Sequence, residues 1–289
     1  MRAQARLLLV VLALLVVAGV AWQVLFSEGD AERLVITAAE GATVQLAGSP
    51  TAQPVEAGHV VRGRDQVVVG EGGRAVLEMG EGTRMELTER SRIRVLSVDP
   101  EGVKVELEGG RLEARVTPGS PMLGVGTRGR EIVARDADVT VGVDADGALA
   151  VTPSRGSVEV RGVDGVRSLD AGQRLGALEG GPGVVDEATL ELLLQVQWPE
   201  GSVRDADTPL EGRTAPFARV RIETAGGTVR DLRAGEDGRF SVEVGLDEGD
   251  NSVVVRASDP TGAEASAEGS VARDSKPPTA TRVDVGWGP

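Results

Sequence analysis

Through most of the chain, apolar residues fall on every second position in short runs, and glycines separate the runs. A period of two sets one side of a strand against a core and leaves the other in water. The clearest pair is Ala75, Leu77 and Met79, alternating with Arg74, Val76 and Glu78. After Gly80-Glu81-Gly82, Met85 and Leu87 alternate with Arg84 and Glu86. These two runs predict a β-hairpin with one buried face. Ile93 and Val95 continue the pattern, then Val103, Val105 and Leu107, and past Gly109-Gly110, Leu112, Ala114 and Val116. Pro118 to Pro121 interrupts it. Strands resume at Val139, Val141 and Val143, at Leu149 and Val151, at Val158 and Val160, and from Val166 to Leu169. Residues 33–178 therefore predict one all-β domain of many short strands: a sandwich, a roll or a solenoid-like stack.

A second β region follows over residues 190–273. Asp186-Glu187-Ala188-Thr189 has the composition of a short capped helical turn with Asp186 as N-cap. Leu190, Leu192, Leu194, Val196 and Trp198 then alternate as a strand up to Pro199. Further strands are predicted over Thr208–Gly212, Ala218–Thr224, Thr228–Arg233, Arg239–Val244, Ser252–Ser258 and Ala263–Val271. That number in so short a stretch suits a β-sandwich. Between the two regions, residues 179–189 contain Gly180-Gly181-Pro182-Gly183 and read as a linker. Residues 274–289 read as a flexible tail containing Pro277-Pro278.

One stretch breaks the period. Residues 7–26, LLLVVLALLVVAGVAWQVLF, carry no charge and suit a helix of roughly 30 Å, the hydrocarbon thickness of a bilayer. Arg2 and Arg6 precede the run; Glu28, Asp30 and Glu32 follow it. This asymmetry predicts a single-pass signal-anchor in the cytoplasmic membrane, with residues 1–6 inside and the bulk of the chain facing the periplasm or other extracytoplasmic space. The small residues Gly19-Val20-Ala21 leave a cleaved signal peptide open as the alternative; a mature N-terminus at Trp22 would mark it. Either reading exports the body.

Composition narrows the partners. Cysteine is absent, which excludes a lipid-modified cysteine and any disulfide. Basic charge is almost all arginine, with Lys104 and Lys276 the only lysines, and the formal net charge of −14 opposes nucleic-acid phosphates. Aromatics are scarce, so both cores must rest on aliphatic side chains.

The order of short phrases in the first region resembles the FecR domain family. The phrases are Val55-Glu56-Ala57-Gly58, Val60-Val61-Arg62-Gly63-Arg64-Asp65-Gln66-Val67, Ala75 through Leu87, and Leu107-Glu108-Gly109-Gly110-Arg111-Leu112. Gly156-Ser157-Val158-Glu159-Val160 and Leu169-Asp170-Ala171-Gly172-Gln173 follow in order. Asp136-Ala137-Asp138-Val139-Thr140-Val141 stands where the family carries a Gly-Thr-x-Phe-x-Val phrase. In its best-known members the resemblance implies a transmembrane regulator that reads an outer-membrane transporter outside and holds a sigma factor inside. Six residues before the apolar run are too few for a sigma-binding helical domain. The second region is similar to bacterial immunoglobulin-like domains through Trp198-Pro199-Glu200-Gly201, Leu210-Glu211-Gly212, Asp237-Gly238-Arg239-Phe240 and Asp259-Pro260-Thr261-Gly262. The implied fold class is an all-β chain: a FecR-type roll or sandwich, then an immunoglobulin-like sandwich, behind an N-terminal transmembrane helix.

Candidate chemistry is sparse. Asp144-Ala145-Asp146-Gly147 spaces carboxylates as a calcium loop begins, but Arg155 stands where the bidentate acid belongs; a turn is the competing reading. Asp205 and Asp207 form a similar pair. His59 is the sole histidine, so no zinc set can form, and no nucleophile elbow accompanies it. No catalytic residue and no cofactor is expected. Val283, Val285 and Trp287 share one face of an extended strand and could add to a partner's sheet edge. The function expected first is a membrane-anchored, non-catalytic scaffold that binds an envelope protein or a cell-wall glycan. The alternatives are an envelope signalling component acting through a membrane partner, and a carbohydrate-binding accessory module.

Overall fold

The computed structural model describes residues 33–189 and 192–276. The expected transmembrane segment 7–26 and the tail residues Val283, Val285 and Trp287 lie outside them. The chain divides into two units, residues 1–185 and 186–289. Among the described residues all regular structure is strand, and no helix is long and apolar enough to cross a membrane.

The first unit is one sheet of thirteen strands. In chain order these are β1 (Leu34–Gln45), β2 (Ala52–Pro54), β3 (Val60–Val61), β4 (Gln66–Met79), β5 (Thr83–Leu87), β6 (Arg92–Asp99) and β7 (Gly102–Val116). Then come β8 (Met122–Thr127), β9 (Arg130–Val143), β10 (Ala148–Gly162), β11 (Gly165–Asp170), β12 (Gln173–Leu178) and β13 (Val184–Glu187). The expected hairpin is present: Leu77 pairs with Met85 and Glu78 with Arg84. Ala75, Leu77, Met79, Met85 and Leu87 are all fully buried.

The longest strands each serve two parts of the sheet. The start of β7 pairs with β6 and β8; its end, from Gly110 to Val116, pairs with β5 and β9. At the changeover the buried side chains switch phase, from Val103, Val105 and Leu107 to Leu112, Ala114 and Val116. β9 makes the same switch, from Ile132 and Ala134 to Ala137, Val139, Val141 and Val143. β10 switches from Leu149 and Val151 to Val158 and Val160. An odd residue inserted at a bulge bends the strand and restores the inward face beyond it. The register of β9 against β10 accordingly slips between Pro153 and Arg155 and again between Gly156 and Val158. Both halves of each strand thereby feed one aliphatic core, and the sheet closes over itself. At the β9–β10 bend Gly156 has φ +69°, and a Cβ there would lie 2.1 Å from the Asp136 carbonyl oxygen. Only glycine fits.

Two expectations change here. The runs on either side of Gly109-Gly110 are not separate strands but the two halves of β7, because the glycines supply a bend rather than a reversal. The interval between Pro121 and Val139 holds β8 and the first half of β9, which the pattern reading passed over. β8 runs parallel to β7, Gly102 facing Met122.

Residues 179–189, expected as a linker, hold the last strand of the sheet. β13 pairs with β12, so Asp186 lies in a strand and caps no helix. A four-residue turn has too few hydrogen bonds to offset helix nucleation, whereas a sheet edge offers partners already in place. The glycine-rich part is tied down by a charged clasp. Arg130, its side chain 3% exposed, reaches Asp164 at 2.7 Å and donates to the Gly181 carbonyl at 2.5 Å. Gly183 N–H donates to the Asp164 carboxylate at 2.9 Å, and Arg167 lies 3.2 Å from it.

The second unit comprises β14 (Leu194–Gln197), β15 (Ser202–Val203), β16 (Asp207–Thr214), β17 (Arg219–Thr224), β18 (Val229–Arg233), β19 (Arg239–Gly245), β20 (Gly249–Ser258) and β21 (Glu264–Arg273). They form two sheets, ordered β14-β16-β19 and β15-β21-β20-β17-β18. Between them lie Leu210, Val220, Ile222, Phe240, Val244, Leu246, Val253, Val255 and Val271. Phe240 is the aromatic member of this core; its ring lies where a side chain at Gly212 would be, as the Trp198 ring does over Gly269.

Two outcomes test this account. Gly156→Ala should lower stability by about 2–4 kcal/mol, from left-handed strain and a blocked backbone approach. In chemical denaturation a cost below about 1 kcal/mol would show that the bend does not need glycine there. The clasp should be acid-sensitive. Hydrogen bonds from Arg130 and the Gly183 amide lower the Asp164 carboxyl from 3.8 to about 2. A lowered carboxyl stabilises the fold above its unfolded value and loses that contribution as pH falls through the folded one. The shift corresponds to roughly 2 kcal/mol, present above pH ~4 and gone below pH ~2. Asp164→Asn, which leaves Arg130 buried without its anion, should cost about 3 kcal/mol at neutral pH and flatten the melting profile between those limits.

Candidate functional site

The sequence expectations find these places in the structure. Asp144 and Asp146 lie in the β9–β10 turn, where the Asp144 carboxylate accepts the amides of Asp146 and Ala148 at 3.1 and 2.8 Å. Asp205 accepts the Thr208 hydroxyl through its carbonyl, and Asp207 opens β16. Among the described residues no three histidine, cysteine or acidic side chains group to hold a metal ion. His59 immediately precedes β3, its carbonyl accepts the Ile36 amide at 2.8 Å, and its Nε2 is buried without a hydrogen-bond partner.

What the register assembles instead is a charged face across five strands of the first unit. One row of direct cross-strand neighbours runs Glu78, Arg84, Arg115, Asp138 and Arg155. The next runs Val76, Glu86, Glu113 and Thr140. Arg84 thus opposes Arg115 and Glu86 opposes Glu113, an unfavourable arrangement taken alone. Contacts along and across the rows compensate. Arg74 makes a two-pronged pair with Glu86 at 2.5 and 2.9 Å, and Arg84 reaches Glu78 at 2.6 Å. Arg111 reaches Glu113 at 3.4 Å, and Arg115 reaches Asp138 at 3.2 Å. At the bend Arg155 bonds Asp136, Asp138 and the Val116 carbonyl, bracing β7, β9 and β10 together.

These contacts set the electrostatics. The hydrogen bond from Arg74 outweighs partial burial and holds the Glu86 carboxyl below its ordinary value. Hydrogen bonds to Asp136 and then Asp138 raise Arg155 above the usual guanidinium value. Between the rows lies a depression of about 420 Å³ lined by Arg84, Glu86, Glu113, Arg115, Asp138 and Ser154. Fixed charges of both signs in a polar hollow suit recognition of a complementary protein surface. The period-two pattern places these residues only on the watered sides of strands. Their signal, arginine and acid on alternate positions, is in the sequence, but the rows appear only once registers are known.

The class defined so far is an all-β sheet domain with charged rows across five of its strands. Residues 65–159, which carry both rows of that face, match the family described as FecR protein, and the chain contains a FecR domain there. No curated protein matches the chain. Among solved structures it is similar to two crystal structures of a "putative anti-sigma factor" from Parabacteroides distasonis. The first is 21% identical with a TM-score of 0.38, the second 19% with 0.37; each match covers 42% of this chain and 59% of that one. A tetra-tandem repeat from the extending region of a large adhesion protein is 17% identical over 83% of this chain and 67% of its own, with a TM-score of 0.21. The chain therefore spans less than two thirds of the first solved structures it matches.

Arg155→Ala should speed amide exchange at Ala137, Asp138 and Gly156 while leaving the β6–β7 amides unchanged. Equal protection in both places would mean that the backbone alone holds the bend.

Proposed function

We propose that this chain is a non-catalytic component of envelope signalling. In this reading the charged face of the FecR domain receives a protein partner, and a separate membrane protein passes the signal inward. The observation that carries it is the coincidence of the FecR domain, residues 65–159, with the two charged rows. This favours signalling over the scaffold role expected first from the sequence. Fixed ion pairs on rigid strands can be exchanged for pairs with a partner at little conformational cost. The apolar run 7–26 supports a single-pass anchor, with the β units on the periplasmic side. The second unit reads as an immunoglobulin-like spacer: β14 joins one sheet while β15 joins the other, parallel to the final strand β21.

The test pairs a charge reversal with a transcript readout. Arg84→Glu with Arg115→Glu should reproduce the transcript changes of the gene deletion, while the protein remains folded and correctly placed. A site-specific crosslinker at Glu113 should capture a discrete envelope protein that one at exposed Thr51 does not. If the reversal leaves the transcript profile at wild type, the charged face is not the signalling surface.

A further inference from the structure

The five-stranded sheet of the second unit carries a denser cationic cluster. Across β18, β17, β20 and β21, one row of direct neighbours reads Asp231, Arg221, Arg256 and Ser266. The row beside it reads Arg233, Arg219, Ser258 and Glu264. Arg221 thus opposes Arg256, and Arg219 opposes Arg233. Here two arginine-bearing rows lie side by side, and the row beyond them carries Glu223 and Glu268. Like charges directly opposite destabilise a sheet. The cluster is partly compensated by Glu223, which reaches Arg221 at 2.7 Å and Arg256 at 2.8 Å, and by Asp231, 3.3 Å from Arg221.

A second cost sits beside the first. Phe217 is buried, yet has φ +60°, a conformation that bulky residues avoid. Its carbonyl accepts Arg233 Nη1 at 2.7 Å, so the strained residue braces one of the four arginines. Small side chains continue both rows. Next to Ser258 and Ser266 the surface opens into a depression of about 530 Å³, walled by Arg219, Arg221, Arg256, Asp231 and Glu264. The Arg221 and Arg256 side chains are 48% and 54% exposed, which leaves them within reach of a ligand. Each guanidinium offers five donors in a plane, more than the contacts from Arg221 and Arg256 to carboxylates consume.

We propose that this depression binds an oxyanion, carboxylate or phosphate, carried on an envelope polymer. Arg221 and Arg256 supply two-pronged ionic hydrogen bonds, and Ser258 and Ser266 supply hydroxyl donors from the floor. The net charge of −14 opposes long-range attraction of anions. Recognition is therefore local, made by contact geometry rather than by steering, and it weakens with salt. The envelope source of the polymer rests on the exported placement proposed above; the site itself is independent of the FecR face and of the signalling reading.

Fluorescence anisotropy on the full chain in detergent tests it with three labelled probes: an oligogalacturonate for carboxylate, a glycerol-phosphate oligomer for phosphate, and a neutral malto-oligosaccharide. The expected result is saturable, salt-sensitive binding of an anionic probe and none of the neutral one. Which anionic probe binds assigns the oxyanion. Arg256→Gln should weaken binding at least about tenfold, the scale of one lost ionic hydrogen-bond pair. Ser258→Glu, which sets a carboxylate on the floor while keeping every arginine, should abolish it. Arg90→Gln, on the first unit, should change nothing. If Arg256→Gln fails to fold by thermal melting, Ser258→Glu decides alone. Failure of both anionic probes to bind, wild-type binding by the folded variants, or equal loss in Arg90→Gln overturns the site.

Discussion

The first unit depends on a few places where two backbones come closer than a side chain allows. At Gly156 the Asp136 carbonyl occupies the room a Cβ would need. The inserted residue at such a point both turns the strand and resets which side chains face inward. Without the reset, a bent strand would drive its far half's apolar residues into water. With it, one continuous sheet encloses a core of leucine, isoleucine, valine, methionine and alanine, with no aromatic ring and no disulfide. Arg155 fastens the outside of the same bend, so the constraint that shapes the core also fixes one end of the charged face.

Both charged depressions follow from register rather than from composition. Each lies where like charges stand directly opposite on neighbouring strands, with partners found along the row or diagonally. Such rows are stable only as sets: taking away one acid leaves two guanidinium groups facing each other. The two faces nonetheless differ in balance. The first sets arginines and acids within and between neighbouring rows; the second packs four arginines into two adjacent rows, with Asp231 and Glu264 at their ends and Glu223 and Glu268 on the flanking row.

Much of the architecture was legible in the sequence. Alternation located the β4–β5 hairpin and every long strand of the second unit, to within a few residues. The phrase order pointed to the FecR domain, whose match covers residues 65–159. Three things were harder to read. β8 and the start of β9 hide their alternation, Leu123 and Val125 then Ile132 and Ala134, among Gly124, Gly126 and Gly129. The helix-cap composition at Asp186 was overridden by an open sheet edge. The ionic rows need strand pairing, and pairing between β7 and β9 joins residues too far apart for local pattern to reveal. The clasp of Arg130 and Asp164 has the same origin: 34 residues separate the partners in sequence.

The clasp has a mechanical meaning. Every covalent path from the second unit to the first runs through β13, an edge strand of four residues, and then through the Gly181 to Gly183 segment held by Arg130 and Asp164. A pull arriving from the C-terminal side therefore meets β13 and this ion pair before the other strands of the sheet. The bonds it meets there are few and close together, whereas the long strands behind them are paired along most of their length.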